Sequence, residues 1–295
     1  MSEEKTKLWA NVHQASKIYI LPNFFTAGNL FFGFVSIVLC MLGRFDPNPE
    51  SKLHAVANLF VKTSDPSASY FVIAIIAILF SVFCDAIDGR VARASGKTSL
   101  FGKVFDSIAD AVAVVVAPGM LTFLLTLSPM KQLSPEMQDV IAPIGWFVAF
   151  IYLLCGCIRL ARFNVITNPY ISGHEKYEKG DFSGLPVPAA AGAMSSIALT
   201  MMRLDLWNYA LWFVPIMLLI SFLMISNIPY PSFKHINWDT SAKIRGFVAI
   251  VACMLLIVYL GMYSFTIIFL LYIAIPPIRY IPNFARIVRY LINRK

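Results

Sequence analysis

From position 24 to position 278 this chain repeats apolar stretches long enough to cross a membrane, separated only by short polar gaps. A hydrocarbon core about 30 Å thick takes roughly 20 helical residues to span. The pattern predicts eight spanning helices, at about residues 24–43, 70–93, 103–127, 141–163, 185–202, 208–227, 245–262 and 264–280. Composition agrees, since 58% of the residues are hydrophobic and 14% charged, against roughly 25% charged in soluble domains. The fold class is therefore all-α, a polytopic membrane helical bundle with no room for a separate soluble domain.

The chain opens on polar and charged residues, Ser2, Glu3, Glu4, Lys5 and Lys7, and the first apolar run carries no small-residue cleavage site. That run reads as a retained span rather than a signal peptide. The cysteines Cys40, Cys84, Cys155, Cys157 and Cys253 all fall in apolar stretches, without a Cys-x-x-Cys pair or a histidine at metal-ligand spacing. They read as small buried hydrophobes.

A net charge of +8 would suggest nucleic acid in a soluble protein, but here it follows the topology and implies no nucleic-acid partner. With a cytoplasmic N-terminus, the inside segments collect nineteen of the 24 Lys and Arg residues; Arg44, Lys52, Lys62, Lys131 and Arg203 remain outside. This is the positive-inside pattern of an even-numbered bundle. It puts both termini on the cytoplasmic side of a multi-pass protein of the cell membrane. The tail from Ile281 to Lys295 spaces Arg286 and Arg289 beside Ile287, Val288 and Leu291. That suits either a short helix on anionic headgroups or a solvated basic tail.

Charged side chains at membrane depth cost roughly 2.5–3.5 kcal/mol each on insertion scales, so those present usually face a cavity or a pathway. Asp85 and Asp88 stand at i and i+3 near the inner end of the second span; Asp106 and Asp110 stand at i and i+4 in the first turns of the third. Each pair shares a helix face, and the short turn between the spans puts both pairs at one depth. Four converging like charges call for cations between them. Oxygen ligands without Cys or His favour Mg²⁺ or Mn²⁺, with Ca²⁺ also compatible, over zinc. Such a centre can neutralise charge on a diphosphate, which makes phosphoryl-type transfer the leading chemistry. Gly89, Ala92 and Gly102 remove side-chain bulk beside the acids and let a nucleotide approach the backbone. The competing view is a small-residue packing seam with salt bridges to Arg90 and Arg93, but two arginines poorly balance four carboxylates.

Written out, Asp85 to Asp110 is D-x-x-D-G-x-x-A-R-x8-G-x-x-x-D-x-x-x-D, and it resembles the signature of the CDP-alcohol phosphotransferase family at all eight specified positions. The resemblance implies six core membrane helices, here followed by two C-terminal ones, usually a homodimer, and transfer of a phosphate-linked group from a CDP-linked donor to an alcohol with release of CMP. It implies that Asp85, Asp88 and Asp106 bind the divalent metal, with Asp110 beside them in the metal-facing set and acting as the base. Asp106 and Arg93 complete the catalytic group, and Gly89, Ala92 and Gly102 make room for the cytidine nucleotide. Attack is direct and in line, and no Ser-His or Cys-His pair argues for a covalent intermediate.

Four further stretches resemble the phosphatidylserine synthase branch of that family, of bacterial and archaeal membrane type. They are Leu21-Pro-Asn-Phe-Phe-Thr-Ala-Gly-Asn29, Arg159-Leu-Ala-Arg-Phe-Asn164, Phe182-Ser-Gly-Leu-Pro-Val-Pro-Ala-Ala-Ala191 and Tyr230-Pro-Ser-Phe-Lys234. The resemblance implies CDP-diacylglycerol and L-serine as substrates, in contact with membrane lipids. It covers about residues 18–235, which divides the chain into a catalytic membrane domain, 1–235, and a two-helix extension with a basic tail, 236–295.

Spacing adds to this reading. Asn23, Thr26 and Asn29 recur at i, i+3 and i+6, a polar strip able to bond the cytosine or ribose, or else to cap the first helix and glue it to a neighbour. Arg159 and Arg162, one turn apart, can take serine's carboxylate or a lipid phosphate, or serve as positive-inside anchors. The Gly184-Leu-Pro-Val-Pro188 turn shapes the pocket mouth. His174 and His235 read as solvated. Two rivals stay open. One is another acceptor, glycerol 3-phosphate or an inositol phosphate; the other is an ion- or proton-coupled transporter, which would spread its acids through the membrane depth.

Overall fold

The computed structural model describes residues 20–46, 53–61, 66–95, 100–127, 135–167, 182–230 and 260–292. Nearly all of them are helical. The long elements are α1 (Ile20–Phe45), α3 (Pro66–Ser95), α6 (Pro135–Thr167) and α9 (Tyr263–Ile292). Between them lie a short α2 (Leu53–Ala57), α4 (Leu100–Asp110) continuing through a π-helical turn, Ala111–Val116, into α5 (Ala117–Thr126), then α7 (Val187–Arg203), a 3₁₀ turn, Trp207–Trp212, and α8 (Phe213–Ile225). Two-residue strands, β1 (Phe182–Ser183) and β2 (Pro229–Tyr230), pair antiparallel with Phe182 opposite Tyr230.

Five helical stretches are long and apolar enough to cross a membrane: Asn23–Phe45, Ala68–Asp88, Phe101–Thr126, Ile141–Val165 and Tyr263–Tyr280. The protein is a multi-pass helical membrane protein. The expected spans at 24–43, 70–93, 103–127, 141–163 and 264–280 coincide with these. The span at 185–202 is α7, a 17-residue helix. The span at 208–227 opens as a 3₁₀ turn before α8, a 13-residue helix. The expected span 245–262 and the proposed division at 235/236 fall outside the described residues, apart from the turn before α9. The tail differs from expectation, because α9 runs unbroken to Ile292 instead of ending near 280.

α7 packs against α3, α5, α6, α8 and α9. Its sequence is rich in Ala, Gly and Ser, and Ala190 through Ser196 are all buried. Small residues suit this position, because in a membrane helices gain by close backbone approach rather than by expelling water. α1 lies along α3, where Phe32 and Phe80 stack with ring centres 5.6 Å apart. Large apolar side chains such as Phe31, Phe34, Trp146 and Phe222 point outward, as an apolar surround allows. The end of the bundle where α3 gives way to α4 is its acidic end, carrying Asp85, Asp88, Asp106 and Asp110. At the opposite end α2 covers the start of α3, with His54 Nδ1 2.7 Å from Ser69 Oγ and the Tyr70 hydroxyl donating to Asp46 at 3.0 Å.

The π turn is gripped from two sides. A Cβ on Gly33 of α1 would sit 2.5 Å from Ala113 Cα, and one on Gly156 of α6 would sit 2.6 Å from Val115 Cγ1. Neither position has space for a side chain. The cysteines correct one expectation: Cys40 and Cys155 are buried, whereas Cys84 is half-buried and Cys157 faces outward. Cys253 lies outside the described residues.

Candidate active site at the acidic end of the bundle

Two helix segments carry the acids, and α1 supplies their partners. Asp85, Asp106 and Asp110 each offer a carboxylate oxygen such that all three lie within 4.8 Å of one another. Asp88, 6% exposed, is held from α1 by the Thr26 hydroxyl, which donates to Oδ2. Asp106 lies within electrostatic reach of Asp85 and Asp88, and Asp110 of all three other acids. The i, i+4 spacing of Asp106 and Asp110 on α4 sets both on one face, and the π turn begins at the next residue, Ala111. π-helical turns often mark functional positions.

The polar strip on α1 takes a definite role. Asn29, fully buried, donates from Nδ2 to Asp110 Oδ1 at 2.9 Å. Thr26 and Asn29 thus each commit a donor to a carboxylate, while buried Asn23 Nδ2 has no hydrogen-bond partner among the described residues. The Asn29–Asp110 pair is not evident in the sequence; its signal is the i+6 register of Asn29 to Asn23. A second bond of this kind, Asn164 Nδ2 to Ser107 Oγ at 2.6 Å, ties α6 to α4 beside the acids.

The donor set fits a hard divalent cation. Oxygens around Mg²⁺ at about 2.1 Å stand roughly 3–4 Å apart, and around Ca²⁺ at about 2.4 Å up to nearly 5 Å. The 4.8 Å mutual limit for Asp85, Asp106 and Asp110 falls within that range. Asn29 Oδ1, buried without a partner among the described residues, leaves one more neutral oxygen nearby.

Gly89, Ala92 and Arg93 occupy the last two turns of α3, and Gly102 stands in the first turn of α4, half-buried. The surroundings of the first three lie outside the described residues.

The two arginines separate. Arg159 is 8% exposed and donates from Nε to the Leu185 carbonyl at 2.6 Å and from Nη2 to that of Gly184 at 3.4 Å. Arg162 is exposed, and its Nη2 lies 3.1 Å from Asn227 Oδ1. Both therefore grip the loops that flank α7 and α8. Those loops are stitched to each other, Gly184 N–H to the Ile228 carbonyl and Leu185 N–H to that of Leu223, each at 2.9 Å. The Leu223 carbonyl belongs to the last turn of α8, where helices leave acceptors unmet. Gly184 has φ +84°, and a Cβ there would collide with the Met224 carbonyl oxygen. Pro186, extended, caps the start of α7, the loop-to-helix entry expected of the two prolines. His174 and His235 lie outside the described residues.

Residues 19–213 match the family model described as CDP-alcohol phosphatidyltransferase. A CDP-diacylglycerol–serine O-phosphatidyltransferase of Helicobacter pylori strain J99 is 32% identical over 227 residues, covering 75% of this chain and 76% of that protein. One of the same name from Mycobacterium leprae is 36% identical over 174 residues, covering 58% of this chain and 51% of that one. An archaetidylserine synthase of Methanothermobacter thermautotrophicus is 34% identical over 170 residues, covering 57% and 62%.

Proposed function

Because the chain belongs to the CDP-alcohol phosphatidyltransferase family, we propose that it moves the phosphatidyl group of CDP-diacylglycerol to L-serine, giving phosphatidylserine and CMP. The observation that carries the reading is the meeting of Asp85, Asp106 and Asp110 oxygens within 4.8 Å, on the two helices that bear the eight-position signature. Relatives named for serine transfer, at 31–36% identity, support the choice of acceptor.

Asp85, Asp106 and Asp110 would hold the divalent cation, Mg²⁺ or Mn²⁺, with Asp88 beside them on the α1 side. When bound, the cation offsets negative charge on the diphosphate and on the departing CMP. Asn29 fixes Asp110 through Oδ1, which leaves Oδ2 to accept the proton of the serine hydroxyl. The serine oxygen attacks the phosphorus bearing the diacylglycerol, a new P–O bond forms, and the P–O bond to CMP breaks. Asn23 and the small residues Gly89, Ala92 and Gly102 border the space for the cytidine, and Arg93 organises the acids. Arg159 and Arg162 serve the acceptor side and the serine carboxylate.

The enzyme works as a homodimer in the cytoplasmic membrane, with both termini and the acids on the cytoplasmic side. The 19-to-5 division of basic residues supports that sidedness.

Purified protein supplied with CDP-diacylglycerol, Mg²⁺ or Mn²⁺ and labelled serine tests the assignment. Serine-dependent CMP release with labelled phosphatidylserine is expected. A folded preparation that releases CMP with glycerol 3-phosphate or an inositol phosphate, and not with serine, refutes it.

A further inference from the structure

The stretch Tyr230-Pro-Ser-Phe-Lys234 and helix α9 have so far had no role, and both lie beyond the residues matched to the family, 19–213. Tyr230, the described residue of that stretch, meets α9. Tyr230, fully buried, donates its hydroxyl to the Ile273 carbonyl of α9 at 3.3 Å. Its ring lies 5.8 Å from that of Tyr272.

The chemistry of α9 explains why that carbonyl is open. In an α-helix the Ile273 carbonyl would accept from the N–H of residue 277, but residue 277 is Pro277, which has none. Pro276 likewise removes the helical partner of the Tyr272 carbonyl. The Pro276-Pro277 pair therefore cuts a notch in the hydrogen-bond ladder of α9, and Tyr230 fills it. A buried carbonyl left without a donor is costly, so the notch and the tyrosine favour each other.

α9 offers a firm base for this contact. It is docked along α7, where Thr266 donates to the Ser196 carbonyl at 2.8 Å and shares a 2.7 Å contact with Thr200. Phe269 fills the space above Gly192, and Arg203 lies over the Tyr263 ring at 5.0 Å.

From the notch the connection runs to Arg159. Tyr230 pairs with Phe182 across β1 and β2, Ile228 and Leu223 hold Gly184 and Leu185, and the carbonyls of those two residues receive the Arg159 guanidinium. Tyr272 reaches the same place directly, within electrostatic range of Arg159.

We propose that Tyr230, seated in the proline notch of α9, is a positioning residue that sets Arg159 for the acceptor, so that the C-terminal helix tunes recognition of a carboxylate-bearing alcohol. This rests on the assignment of Arg159 to the acceptor side. The test compares Tyr230→Phe, which keeps the ring and deletes the donor, with Pro277→Ala, which restores an N–H that competes for the Ile273 carbonyl. In CMP-release kinetics each should raise the KM for serine about fivefold, as loss of about 1 kcal/mol of hydrogen bonding implies. The kcat and the KM for CDP-diacylglycerol should stay within about twofold, since the acids are untouched. The double variant should be no worse than either single one, because both break the same bond.

Serine KM values unchanged in both single variants would overturn the proposal, as would additive losses or a general fall in kcat, the mark of a merely structural role. Arg159→Lys separates this from the parent assignment. If it leaves the serine KM unchanged, the acceptor role of Arg159 fails; if it raises that KM while Tyr230→Phe and Pro277→Ala do not, the notch fails alone.

Discussion

Asn29→Leu is the sharpest perturbation of the site. Leucine nearly matches asparagine in shape, so it deletes the 2.9 Å bond to Asp110 Oδ1 without opening a cavity. Two magnitudes compete. A hydrogen bond to a charged group is worth about 1.5–3 kcal/mol, and at about 1.4 kcal/mol per tenfold in rate that corresponds to a kcat loss of about 10- to 150-fold if the bond holds the base in its working orientation. Interhelical polar contacts in membrane proteins contribute on average only about 0.6 kcal/mol to stability. Activity should therefore fall far more than the folded state loosens. CMP release measured at saturating serine and CDP-diacylglycerol, beside thermal unfolding in detergent, separates the two. The reasoning would be refuted by an Asn29→Leu enzyme with wild-type kcat, or by one whose activity loss simply tracks a lowered Tm. Asp110→Asn, which removes the base itself, sets the floor for comparison.

Two further outcomes follow from the same geometry. Gly184→Ala forces a side chain into a φ of +84° and against the Met224 carbonyl, costing about 1–2 kcal/mol for the left-handed backbone and about 1–3 for the overlap; thermal unfolding should show a clear drop in Tm, and an unchanged Tm would mean the loop relaxes freely. Chelation of divalent cations should abolish CMP release, and Mg²⁺ or Mn²⁺ should restore it, with Asp85→Asn needing more metal for half-restoration; full activity in chelator would argue against a cation among the carboxylates.

The helical bundle was readable from the sequence because membrane spans are set by length and hydropathy, and both are local properties. The acids were readable for a related reason. Helical spacing alone puts Asp85 with Asp88, and Asp106 with Asp110, on common faces, and the short turn between their helices fixes the depth. What the spacing leaves open is which residue faces which across helices. Asn29 belonged to a polar strip whose partner could be nucleotide or protein, and only the packing of α1 against α4 directs it to Asp110. Arg159 and Arg162 looked equivalent at one turn apart, yet a single turn suffices to bury one under Leu185 and expose the other beside Asn227. The uninterrupted run of α9 through Pro276, Pro277 and Pro282 went against local preference. Proline predicts a break, and tertiary contacts such as Tyr230 on Ile273 compensate for the missing donor.

The π turn after Asp110 has a consequence for how a single span can face two ways. Each residue of an α-helix advances the side-chain direction by about 100°, so one residue added to a regular helix between the acids and α5 would swing Asp106 and Asp110 together away from Asp85 on α3. A wide turn at Ala111–Val116, pinned by Gly33 and Gly156, acts as a phase joint. Upstream, Asp106 and Asp110 face Asp85; downstream, α5 buries Leu121, Leu124 and Leu125, so one continuous span aims its acids and its apolar face in separately set directions.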